Sequence, residues 1–272
     1  MAAMAPFVVL HIPHASIAIP EDLRPLILLS AQELELELLS MTDCYTDQLF
    51  ALPPEEAAAI QFPVSRLILD PERVVDDAQE SMAAHGMGVI YARGSRGQIL
   101  REASSSEERS WLLARYYELH YRTLSETVDA AINTSGRCLV IDCHSFPSRP
   151  LPYELDQRLD RPDVCLGTDP VHTPDWLLET ARKLFAGAEF RVALNWPYDG
   201  VLVPASHYHR DDRVWAIMIE LNRSLYMDET AGERLLGFRL FESKIQSLLL
   251  GLLTAARSHL SDLSLSVGSN SH

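Results

Sequence analysis

Short apolar runs alternate with helical patterns along the chain. Phe7 to Ile12, Ala58 to Phe62, Cys138 to Asp142, Val164 to Thr168, Phe190 to Asn195 and Val214 to Leu221 are predominantly apolar, as strands buried on both faces are. Separated by helical stretches, they predict an α/β class, a parallel sheet covered by helices on both faces.

The first long helix is predicted after Ser30, because Ser30-Ala-Gln-Glu33 has the capping-box form. Glu33 to Leu39 also alternates like a strand, but Glu and Leu are strong helix formers, and Leu34, Leu38, Met41, Tyr45 and Leu49 continue at helical steps. That reading puts Asp43 at the edge of a buried helix face. A second capping box, Ser105-Ser-Glu-Glu108, opens a helix through Trp111, Tyr116, His120 and Leu124 toward Gly136, whose aromatic stripe reads as core packing. Further helices are predicted over Pro174 to Phe185 and after Thr230-Ala-Gly-Glu233, the last carrying Phe241, Ile245, Leu248, Leu252 and Ala256. We expect one domain over residues 1–272, with a flexible polar tail from 260 to 272.

Charge narrows the partners. With 23 Lys+Arg against 38 Asp+Glu the net charge is −15, which excludes a basic nucleic-acid binder, and 47% hydrophobic residues mark a globular chain. The four cysteines form no CxxC pair, which suits a reducing compartment. His11 and His14 interrupt the first apolar stretch, no basic residue precedes it, and no run approaches a membrane span. A cytoplasmic enzyme or binding protein is expected, with no membrane partner.

Ligands of open α/β sheets bind beyond the carboxyl ends of the strands, which selects among the ten histidines. His14 follows the first run and His144 follows Leu139-Val-Ile-Asp-Cys143, so both stand at strand exits. With Asp43 they make a two-imidazole, one-carboxylate set that suits Zn2+, whose catalytic sites keep a fourth position for water and lower its pKa to ~7. Glu220 interrupts Val214 to Leu221, where a bare charge is expensive to bury. Partly desolvated at a strand exit, it suits a general base for that water and then the acid for a leaving amine. Arg66 and Arg73, and the turn arginines Arg93 and Arg96, offer forks that match carboxylates. Ser145 and Cys143 are badly placed for activation by the adjoining His144, which argues against covalent catalysis. His207-Tyr-His209 reads as a loop or lid pair near the pocket.

Taken in order, His11-Ile-Pro-His14, Thr42-Asp43, Ser65-Arg66 with Asp70 and Arg73, Asp142-Cys-His-Ser145, Asn195-Trp-Pro-Tyr-Asp-Gly200 and Ile219 to Tyr226 resemble the N-formylglutamate amidohydrolase family. The resemblance implies a three-layer α/β/α fold with a mostly parallel sheet, similar to zinc carboxypeptidases, aspartoacylase and other phosphorylase/hydrolase-like proteins. It also implies metal-dependent hydrolysis of N-formyl-L-glutamate, a small anionic substrate, to formate and glutamate in histidine degradation. By position, His14, Asp43 and His144 match metal ligands, Glu220 the general base, and Arg66, Arg73 and Asn195 substrate-binding groups. The chain departs from the family pattern at Ala15-Ser16, at Val201 and in Pro204 to Arg210. Two alternatives therefore stand beside the leading reading: a zinc hydrolase for another N-acyl amino acid or a cell-wall peptide, and a non-catalytic ligand-binding homologue.

Overall fold

The apolar runs become β1 (Val8–Ile12), β2 (Ala58–Gln61), β3 (Cys138–Phe146), β4 (Val164–Gly167), β5 (Val192–Leu194) and β6 (Val214–Asn222). In the computed structural model, which describes residues 6–269 and side chains through residue 262, these strands form one sheet in the order β2-β1-β3-β6-β4-β5. β2, β1, β3 and β6 are mutually parallel. β4 pairs antiparallel with β6 and carries β5 parallel to itself, so the sheet is mostly parallel with two strands reversed at one edge. The reversal follows from the connection: no helix lies between β3 and β4, and a chain without a crossover helix re-enters the sheet from the end at which it left.

The helices are α1 (Ala31–Met41), α2 (Thr46–Leu49), α3 (Ser106–Leu112), α4 (Glu118–Ser135), α5 (Asp175–Gly187) and α6 (Phe238–Ser269). Strand alternation divides the core into two layers. Val9, Val140, Val214 and Ala216 pack on Leu124, Val128 and Ala131 of α4. Leu10, Ile141, Ile217 and Ile219 pack on the other side with Leu177 and Phe185 of α5 and Ile245 and Leu249 of α6. Each of the Val, Leu, Ile and Phe side chains among these, fully buried, stabilises the fold by about 1.5–3 kcal/mol. A third cluster, including Phe62, Leu67, Ile68, Leu69 and Tyr91, gives the long β2–α3 connection its own support, and that connection carries Arg66, Asp70, Glu72 and Arg73.

The capping box at Ser30 forms: Ser30 Oγ accepts from the Glu33 amide at 3.3 Å, and the Ser30 amide donates to Glu33 Oε2 at 2.9 Å. The helix does not continue to Leu49. It breaks after Met41, placing Asp43 in an irregular segment rather than on a helix face. Tertiary bonds override helix propensity here: the Asp43 amide donates to His14 O at 3.0 Å, and Tyr45, at φ 67°, donates its hydroxyl to Gly232 O at 2.6 Å. The second predicted helix is interrupted by a π-turn over Leu113–Tyr117. The last helix starts later than expected, because the amides of Thr230 and Ala231 turn back onto Asp228 Oδ1. α6 then runs through Ser269, past the point where a polar tail was expected, and residues 270–272 of that tail lie outside the described residues. No helix among the described residues is long and apolar enough to cross a membrane.

Candidate active site

The α4 side of the sheet is apolar at the start of each strand and polar at its carboxyl end. In β1 Val9 is followed two residues on by His11, in β3 Val140 by Asp142 and His144, and in β6 Ala216 by Met218 and Glu220. The register sets His11 beside Asp142 and His144 beside Glu220. His144 is thus inside β3, two residues before its end, and not in the loop beyond it. His14 leaves β1 through Pro13 and closes on His144, with ring centroids 5.2 Å apart.

Each of these two imidazoles has one nitrogen anchored by a buried carboxylate. His14 Nε2 lies 2.8 Å from Asp70 Oδ1, and His144 Nε2 lies 3.0 Å from Asp142 Oδ1. The opposite nitrogens face a single oxygen: Asp43 Oδ2 is 3.1 Å from His144 Nδ1 and 3.7 Å from His14 Nδ1. His14 Nδ1 is buried and has no hydrogen bond. Asp43 is itself held, Oδ1 accepting from Arg223 Nη2 at 2.9 Å and Oδ2 from the Ser145 amide at 3.2 Å. Burial alone would raise the Asp43 carboxyl, but His14, His144 and Arg223 overcome it and hold it well below the usual range. Burial opposes the charged His144 ring, whereas Glu72, Asp142 and Asp43 raise it well above its ordinary value.

The surroundings of His14 and His144 are those that metal-binding histidines have. Ligating histidines ordinarily have their second nitrogen on a carboxylate, ligating carboxylates are themselves hydrogen-bonded, and a buried orphan nitrogen lacks only a partner. Glu72, which sequence reasoning passed over, adds a second carboxylate, with Oε1 3.1 Å from His144 Nε2 and Oε2 3.7 Å from His14 Nε2. Among the described residues the compact groups that could hold a cation are His14, Glu72 and His144, and His11, Glu72 and Asp142, so the carboxylate standing with the two expected histidines in such a group is Glu72 and not the expected Asp43.

His14, Asp43, Glu72 and His144 open into a cavity of about 490 Å³ that Glu220, Arg66, Arg73 and Arg223 also line. Burial, reinforced by Asp43 and Glu72 against the opposing His144 and Arg223, pushes the Glu220 carboxyl up to about 8, and its Oε2 has no hydrogen bond. Arg66 is occupied by Asp70, with Nη2 2.6 Å from Oδ2. Arg73 is less committed: its nearest carboxylates, on Asp70 and Glu80, stand at 3.7 and 3.8 Å, and its Nε makes no hydrogen bond.

Other expected residues lie elsewhere. Asn195 is exposed and bonded to Thr168 outside the cavity, while the following Pro197 and Tyr198 line it. Arg93 bonds the Gly97 carbonyl and is no part of the lining. The pair His207 and His209 is not a lid over this cavity. It sits in the turn before β6, at the opposite end of that strand from Glu220, with its rings parted toward Asp129 and Asp211 on one side and Asp169 on the other. Ser145 is no nucleophile partner of His144 either, since its Oγ accepts from Arg223 Nε at 3.1 Å.

The N-formylglutamate amidohydrolase family model matches residues 6–227. Among solved structures, the chain resembles N-formylglutamate amidohydrolase from Ralstonia eutropha JMP134, at 25% identity and a TM-score of 0.80 over 93% of this chain and 94% of that one. Gene product Atu2144 from Agrobacterium tumefaciens shares the fold, at 19% identity and a TM-score of 0.61 over 94% and 92% of the two chains. No curated protein matches the chain. A family match spanning most of the sequence, on a fold whose strand ends assemble this site, establishes that the chain belongs to the N-formylglutamate amidohydrolase family.

Proposed function

We propose that the protein is a zinc-dependent hydrolase that cleaves N-formyl-L-glutamate, or a closely similar N-acyl amino acid, to the free acid and the amine. The observation that carries the reading is Glu220: a buried carboxyl with an unbonded oxygen, in one cavity with two carboxylate-anchored imidazoles and a spare guanidinium. His14 Nδ1, His144 Nδ1 and Asp43 would hold the zinc. When bound, the zinc polarises the amide carbonyl and makes a water acidic enough to react near neutral pH.

Glu220 takes the proton of the attacking water and delivers it to the departing nitrogen, so that one water is consumed and the two products balance it. Burial raises the proton affinity of this carboxyl above that of an exposed one, which favours its taking the proton from the water. Arg73 receives a substrate carboxylate, and Arg66, clamped by Asp70, adds positive field beside it. A chain of net charge −15 needs such a local cationic pair to take an anion. The test is release of formate from N-formyl-L-glutamate by purified protein, before chelation, after it and on zinc restoration, beside a panel of other N-acyl amino acids. Activity that survives complete metal removal would overturn the metal reading, and turnover of another acyl donor in preference to the formyl compound would reassign the substrate.

A further inference from the structure

We propose that His120 and His11 are positioning residues for this site: with Asp142 they form a buried hydrogen-bonded chain that fixes which nitrogen of His144 faces the metal. The proposal rests on His144 being a ligand through Nδ1. His120 comes from α4, His11 from β1, and Asp142 and His144 from β3, all buried. His120 Nε2 is 2.9 Å from His11 Nε2, His11 Nδ1 is 2.8 Å from Asp142 Oδ1, and that same oxygen is 3.0 Å from His144 Nε2.

The proton positions follow from the ends of the chain. Asp142 accepts at both oxygens: the Leu202 amide donates to its Oδ2 at 3.0 Å, and its Oδ1 faces ring nitrogens of both His11 and His144, as a carboxylate does. A carboxylate only accepts, so His11 Nδ1 carries a hydrogen, and in the tautomer with that single N–H the lone pair lies at Nε2. His120 Nε2 must then be the donor to it. Burial pushes His120 down to about 3, with His11 and His14 acting the same way, so its ring is neutral and carries one N–H to give. At the far end Asp142 accepts from His144 Nε2–H, so Nδ1, on the side of Asp43, is the nitrogen left to a cation.

A purely structural role does not explain this arrangement. The face of α4 that bears His120 is otherwise filled by Leu124, Val128 and Ala131, and Phe62 packs edge-on against the His120 ring at 5.1 Å. An apolar side chain would fill that place without the desolvation of the His120 imidazole. What the imidazole adds is a donor aimed at His11, and outer partners of metal-binding histidines are worth about 10–100-fold in metal affinity.

The test is zinc affinity of the full-length protein, measured by competition with a chromophoric chelator, together with kcat, KM and melting temperature. His120→Phe keeps the bulk and removes the donor, and should weaken zinc binding by about 10-fold or more. His120→Gln, whose amide can donate to His11 Nε2, should recover most of that loss although both variants melt alike. Should the phenylalanine not fold, His120→Asn, too short to reach His11, takes its place. Wild-type zinc affinity in the donor-less variant, or equal losses in His120→Phe and His120→Gln, would overturn the role given to the chain. Failure of the underlying reading shows differently: His14→Ala would then bind zinc as wild type does, or the wild type would bind none, and the role of His120 and His11 would fall with it.

Discussion

Replacing Asp43 with asparagine separates the two ways of assigning the carboxylates of the site. The change keeps the volume and removes the charge. In the folded protein Asp43 accepts from Arg223 at 2.9 Å and from the Ser145 amide at 3.2 Å, beside His144 Nδ1 at 3.1 Å. Arg223 is only 4% exposed, so the variant leaves a buried cation short of its counter-charge. Breaking a buried ion pair from one side costs about 3–5 kcal/mol. Arg223 retains hydrogen bonds to Ser40 O, Ser145 O and Ser145 Oγ, which argues for the lower end, about 3 kcal/mol. At about 2–4 °C per kcal/mol for a chain of this size, the metal-free variant should melt roughly 6–12 °C below wild type.

Zinc then divides the possibilities. A ligand at 100 times its Kd stabilises the protein that binds it by about 2.7 kcal/mol. If Asp43 is a ligand, this gain shrinks or vanishes in Asp43→Asn and survives in Glu72→Gln. Glu72 faces imidazoles, and its side chain is 22% exposed, so its loss should also leave the metal-free melting temperature near that of wild type. Thermal or urea melts of the three proteins, each with chelator and with zinc, read all of these quantities. The reasoning is refuted if Asp43→Asn melts with wild type, or if it keeps the zinc gain while Glu72→Gln loses it. The second outcome would move the carboxylate ligand to the group formed by His14, Glu72 and His144.

Three further outcomes are expected. Glu220→Gln should bind zinc like wild type but lose roughly 10²–10⁴-fold in kcat, and an unchanged turnover number would end its role as base. Arg73→Met should raise KM with little change in kcat, by the ~1.5–3 kcal/mol of a charge-assisted hydrogen bond, and a fall in kcat at constant KM would contradict a ground-state contact. At Asp169, burial would raise the carboxyl, but His209 and the amides of Val171 and His172 outweigh it and hold it below the usual range. A depressed carboxyl contributes stability above its unfolded value of about 3.8 and loses it as pH falls through the folded one. Asp169→Asn should therefore flatten the acid limb of melting temperature against pH below about 4, and an unchanged limb would remove this bond from the account of acid stability.

The strands were legible because strands buried on two faces leave uninterrupted apolar runs, and all six runs lie in the sheet. Glu220, His14 and His144 were legible for the same reason, as polar residues in or just after such runs. The antiparallel setting of β4 was not, since it depends on the absence of a helix from the connection 147–163 and on the order in which strands pair. The break at Asp43 was hidden too: local helix propensity continues through it, and the bonds that end the helix come from His14, Arg223 and Gly232, distant in sequence. Glu72 lies in a loop whose path is set by the cluster around Leu67, Ile68 and Tyr91, with no periodicity to place it. His120 gives a signal too, but one that the aromatic stripe of its helix makes look like packing. A histidine continuing the core stripe of a helix in a chain with His11, Asp142 and His144 at strand ends on the same face was the pattern that would have found it.

That pattern ties the fold to the chemistry. Because strand side chains alternate, the α4 face of β1, β3 and β6 can change from apolar to polar along its length without disturbing the α5–α6 face, which stays apolar through Cys143, Ile219 and Leu221. One layer of the core thus ends in the site while the other remains intact behind it. The arrangement depends on register: a slip of one residue between β3 and β6 would bury Glu220 among Ile141, Cys143 and Phe185 and bring Ile219 or Leu221 beside His144. The buried apolar face that excludes the slipped register is therefore also what holds the carboxyl in the cavity, so the site needs no packing energy of its own to fix its depth.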